Sequence, residues 1–161
     1  MNTNRLLAGI AAISLAFAVT GCGGEAETPA AAAPDMPEGV TITDGRLILP
    51  AVAGNPGAVY FTIHNAGAND VIFRAANVAG AASATMHHYA EWSGEMIMQD
   101  LAQVAVPRDG EVVFAPSGNH IMAMKLDDSL VVGGKTEVTL TFVGGDKATF
   151  DAEIRAPGDD S

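Results

Sequence analysis

The chain has 161 residues, 19 of them acidic and 8 basic, for a formal charge of −11 with neutral histidines. That balance argues against nucleic acid or anionic lipid as a partner, and it suits attraction of cations or docking on a basic protein surface. The single cysteine, Cys22, excludes any disulfide within the chain.

The N-terminus, "MNTNRLLAGIAAISLAFAVTGC", carries one positive charge (Arg5), then an apolar run from Leu6 to Val19, then small residues. The run is too short for a membrane span and reads as a secretory signal peptide over residues 1–21. "VTGC" resembles the bacterial lipobox, in which the cysteine is lipidated and begins the mature chain. The alternatives are an ordinary cleavage site or a free thiol. Lipidation at Cys22 would anchor the protein to a membrane of the bacterial envelope without spanning it. Gly23 stands where an Asp would mark inner-membrane retention, a faint pointer to the outer membrane. Removing residues 1–21 takes away one basic residue and no acidic one, so the mature charge is −12.

Residues 22–39 ("CGGEAETPAAAAPDMPEG") hold almost no large apolar side chain and are expected to form a flexible tether. Residues 40–157 suffice for one domain with one core. A frayed tail is expected at 158–161. Within the domain the pattern is short and β-like. "VTITDGRLILP" alternates and contains an Asp-Gly turn signal. "AVYFTIHN", "DVIFRAAN", "SATMHHY", "EMIMQD", "GEVVFAP", "NHIMAMKL", "TEVTLTFV" and "KATFDAEIR" follow, most of them bounded by Gly, Pro, Asn or Asp. Val138, Leu140 and Phe142 alternate with Thr139 and Thr141, and "VGGDK" then reads as a hairpin loop. "MQDLAQVAVPRDGE" has room for a helical turn, which Pro107 keeps short. Seven to nine strands at this spacing predict an all-β antiparallel sandwich or barrel.

Methionine and histidine are unevenly spread. Met86, His87, His88, Met96, Met98, His120, Met122 and Met124 fall within 39 consecutive residues, a window holding five of seven methionines and three of four histidines. Singly, each reads as a core filler or an ordinary surface group. Together, on neighbouring β segments, they supply what a soft metal needs. Thioethers are soft neutral donors and imidazole is borderline, a set that suits Cu(I) over Mg, Ca or Mn. Zinc usually recruits thiolate or carboxylate beside histidine. With no cysteine in the domain, neither a blue-copper site nor a thiolate-bridged dinuclear centre can form.

Ten residues separate His87 from Met98, twenty-one separate Met98 from His120, and one separates His120 from Met122. This H-x10-M-x21-H-x-M spacing resembles that of the periplasmic copper chaperone family PCu(A)C. "AVYFTIHNAG", "GEMIMQDL" and "APSGNHIMAMKLDD" resemble its other stretches, so the similarity runs from about Val40 to Arg155. The resemblance implies Cu(I) ligation by His87, Met98, His120 and Met122 and a cupredoxin-like β-sandwich or Greek-key barrel with an exposed site near one end. It also implies delivery of copper to the dinuclear centre of a haem-copper (cytochrome c) oxidase, beside a thiol-based copper chaperone. Two departures stand out. His88 occupies a position where the family commonly has an acidic residue, and Met86 one where Leu is more usual. In a regular strand Met86 and His88 share one face and His87 points to the other. Met124, Met96 and His88 are secondary candidates as ligands. His64 lies outside the spacing, and Trp92 is either a shield for Cu(I) or an exposed loop aromatic.

The chain carries no nucleophile arrangement, phosphate loop or carboxylate pair at informative spacing, so it is expected to be no enzyme, and a monomer. Two rival readings use the same residues: a copper buffer or resistance lipoprotein, and a β-sandwich adaptor whose Met/His patch is a protein interface.

Overall fold

The computed structural model describes residues 36–159. The signal peptide, Cys22 and most of the tether lie outside the described residues. Ten strands follow in chain order: β1 (Val40–Ile48), β2 (Gly57–Asn65), β3 (Val71–Val78), β4 (Ala81–Trp92), β5 (Glu95–Asp100), β6 (Val104–Val106), β7 (Gly110–Phe114), β8 (His120–Leu126), β9 (Lys135–Phe142) and β10 (Lys147–Arg155). They join in one hydrogen-bonded sheet of order β5-β4-β8-β2-β1-β10-β9-β3-β6, with β7 also paired to β2. β3 and β4 stand far apart in that order, yet they pack against each other. The sheet therefore folds over on itself and encloses one core between two layers, the all-β architecture expected. All named pairs are antiparallel save β1 with β10, which run parallel.

The core follows from period-2 alternation, because side chains two apart share a face. Val59, Phe61 and Ile63 of β2, Ile121 and Ala123 of β8, and Val138, Leu140 and Phe142 of β9 are buried. Phe61 stacks on Phe114 with ring centroids 4.4 Å apart, and Phe73 meets both Phe114 and Phe142. Every buried apolar residue described lies between Val40 and Ile154, so this stretch carries a complete core. Asn65 closes the β2–β3 connection. Its amide donates to the Asn69 and Val106 carbonyls, and its side-chain oxygen accepts from the Gly67 N–H.

Two local expectations are corrected. Asp44-Gly45 makes no hairpin turn. Asp44 takes a positive φ of 56°, and the β1–β2 register shifts between Thr43 and Arg46, so the pair forms a bulge inside β1. Nor does the segment after β5 hold a helical turn among its described elements. It contains β6, a three-residue strand paired with β3.

Two features position the site. β7 and β8 occupy the same edge of β2 in succession, β7 against Phe61–Asn65 and β8 against Gly57–Val59. The turn between them is closed by Gly118 N–H to Ala115 O and Ala115 N–H to Asn119 O, with Ser117 in the left-handed region. At the end of the sheet, β4 pairs with β8 through Ala81–His87 and with β5 through His87–Trp92.

Candidate metal centre

The handover at His87 sets the site. His87 lies opposite His120 on one side and opposite Asp100 on the other, while Tyr89 faces Met98 and Thr85 faces Met122. Directly opposed residues share a face, so His87, His120, Met98 and Met122 all stand on one face of β4, β5 and β8. Met124, opposite Ser83, and Met96, opposite Glu91, stand there too. Met86 and His88 fall on the other face. Met86 is buried in the core, and His88 Nδ1 is buried with no hydrogen-bond partner.

His120 is the centre of the arrangement and only 5% exposed. Its Nδ1 lies 3.0 Å from the Gly118 carbonyl oxygen, which can only accept, so the proton sits on Nδ1. In the neutral imidazole Nε2 then presents a lone pair, and the Met98 sulfur lies 3.3 Å from it. In that form two lone-pair donors face each other. At a tetrahedral ion with bonds of zinc's length, ~2.0 Å to nitrogen and ~2.3 Å to sulfur, two such ligands sit about 3.5 Å apart. The His120 ring stacks on those of Tyr89 and His87, with centroid distances of 5.2 and 5.7 Å. Met98, His120, Met122 and Tyr89 line one cleft of about 340 Å³, together with Tyr60 and residues of the β1–β2 loop.

His87 is placed differently. It shares the face but does not line that cleft. Its Nδ1 lies 3.0 Å from Asp100 Oδ1 and its Nε2 lies 2.8 Å from Thr85 Oγ1. Met96 and Met124 are exposed, and Trp92 at the tip of the β4–β5 hairpin is 70% exposed. His64 stands apart, 3.1 Å from Glu111. Among the described residues no group of three His, Cys, Asp or Glu is arranged to hold a metal, so the candidate set depends on its thioethers.

Residue type alone does not mark Thr85, Tyr89, Asp100 or the Gly118 carbonyl as parts of the site. The same alternation that selects His87 in "TMHHY" selects Thr85 and Tyr89, and Asp100 is two residues beyond Met98. Which of these touch an imidazole depends on strand register, which no local pattern supplies.

The fold is that of PCuAC domains. The copper-bound PCuAC domain from PmoF2 superposes with a TM-score of 0.63 at 20% identity, covering 78% of this chain and 99% of that one. The apo PCuAC domain from PmoF1 gives 0.60 at 26% identity, covering 74% and 95%. The solution structure of Cu(I)-DR1885 from Deinococcus radiodurans gives 0.51 at 21% identity, covering 73% and 75%. A family model described as "Putative lipoprotein LpqE-like" matches residues 40–154, and the chain belongs to this LpqE-like family. No curated protein matches the chain.

Proposed function

We propose that this protein is an extracytoplasmic copper chaperone that binds Cu(I) through His120, Met98 and Met122, with His87 as fourth ligand. One observation carries the reading: His120 Nε2 and the Met98 sulfur converge to 3.3 Å in a cleft that Met122 also lines. A shell of imidazoles and thioethers is neutral and soft, which favours Cu(I) over hard cations. The copper-bound state of the PmoF2 domain and the Cu(I) state of DR1885 support copper as the metal. Met98 is 45% exposed, so an acceptor's ligands have access to the ion, and exchange rather than permanent storage fits the geometry. The finer reading is delivery to the dinuclear copper centre of a haem-copper oxidase, with a thiol-based chaperone as co-worker. The family description supports a lipoprotein, and on this reading Cys22 is the residue that carries the lipid.

Transfer tests this reading. The Cu(I)-loaded protein is mixed with the apo form of an oxidase's dinuclear-copper domain, and the two are separated and assayed for metal. A chaperone passes its copper to the acceptor. A buffer or resistance protein keeps it, and that outcome would replace delivery with sequestration.

A further inference from the structure

The second imidazole, His87, is held by two side chains that the copper reading leaves without a role. Resting on that reading, we propose that Asp100 and Thr85 set the state in which His87 waits for the metal. Asp100 positions the ring as its Nδ1–H tautomer, and the Thr85 hydroxyl occupies Nε2 until copper takes its place.

A carboxylate accepts and does not donate. Asp100 Oδ1 stands 3.0 Å from His87 Nδ1, and an unprotonated Nδ1 there would set two lone pairs against each other. The proton is therefore on Nδ1, and in the neutral ring the lone pair is on Nε2. The Thr85 oxygen, 2.8 Å from Nε2, then donates its hydroxyl proton into that lone pair. When the ion arrives, the hydroxyl turns toward solvent, where Thr85 is exposed. The lone pair passes to the metal while the Nδ1–H stays hydrogen-bonded to Asp100. The Asp100 side chain is 92% exposed against 12% for His87. It packs against little, so its service to His87 is the role that remains. His120 has the same arrangement with a different orienter, the Gly118 carbonyl. One imidazole is thus backed by a neutral acceptor and the other by an anionic one. Carboxylate backing of a ligating histidine fixes ring orientation and raises ligand basicity.

Two conservative variants separate the roles, because they move affinity in opposite directions. The protein used is the 36–159 segment, which holds the whole described core and lacks the thiol of Cys22, a competitor for Cu(I). Long-range ¹H–¹⁵N spectra of the apo protein are expected to show His87 as the Nδ1–H tautomer, and Asp100→Asn to turn it into a mixture. In anaerobic Cu(I) competition, Asp100→Asn weakens binding about 10- to 100-fold, the cost of losing an outer-shell partner. Thr85→Val removes the competitor, keeps a good β-former on an exposed position, and tightens binding roughly 2- to 10-fold, the worth of one net hydrogen bond. An Nε2–H tautomer in the apo protein, an Asp100→Asn variant unchanged in tautomer and affinity, or weaker binding by Thr85→Val would each overturn the proposal. Failure of the unsubstituted segment to bind Cu(I) would instead sink the copper reading itself.

Discussion

His120 shows at the scale of one residue why this face is more than a patch of adaptable packing. A core histidine would spend both nitrogens on protein partners. Here Nδ1 is spent on Gly118 and Nε2 is left facing a sulfur. Removing it should therefore cost more than removing an orienting group. His120→Ala is expected to weaken Cu(I) binding by more than the roughly 10- to 100-fold typical of outer-shell losses, measured by competition with a chromophoric chelator. A protein-binding patch without metal would tolerate the change. Protons compete with metal for imidazole nitrogens, so affinity should also fall as the pH is lowered from neutral to about 5. A flat profile would count against histidine ligation. The residue types of the site were legible because Met and His are chemically distinctive and cluster in the chain. The orienters were not, since Thr85 and Asp100 are ordinary strand residues until register places them beside His87.

At the scale of an element, β8 carries two tasks on opposite faces. His120, Met122 and Met124 stand toward the cleft side, while Ile121 and Ala123 are fully buried. The faces should separate in experiment. Ile121→Ala is expected to cost about 2–5 kcal/mol of stability by denaturant titration, through lost burial and a residual cavity. Met122→Leu conserves volume and should cost less than about 1.5 kcal/mol while removing the soft donor, so copper is lost from a folded protein. This division could be read from "HIMAMKL", where alternation is clean. The bulge in β1 could not, because Asp-Gly is a strong turn signal and only the pairing with β2 shows the strand continuing. There a side chain at Gly45 would meet the Asp151 carbonyl oxygen at 2.7 Å and the Phe150 ring at 2.8 Å. Gly45→Ala should accordingly destabilise by about 1–3 kcal/mol, an overpacking cost. β6 escaped notice for a different reason: three residues before a proline are too few to show a period.

For the whole molecule, the alternation in each segment specified an all-β domain, but the closing of one sheet over itself depends on contacts between distant segments. The parallel β1–β10 pair joins the two ends of the domain, and no nearby turn announces it. Charge acts at this scale as well. On the proposed delivery reading, transfer from a chain of −11 to a basic acceptor surface should slow as salt rises, because steering between opposite charges is screened. Transfer rates measured across ionic strength check this, and a rate indifferent to salt would remove charge from the account of docking.

An anaerobic Cu(I) titration of the domain from Val40 onward against a chromophoric chelator, run beside Met122→Ala, tests the copper site most directly. One tightly bound Cu(I), lost or much weakened in the variant, is the predicted result. No binding, or binding indifferent to Met122, would contradict the copper site and leave the Met/His face as a protein interface.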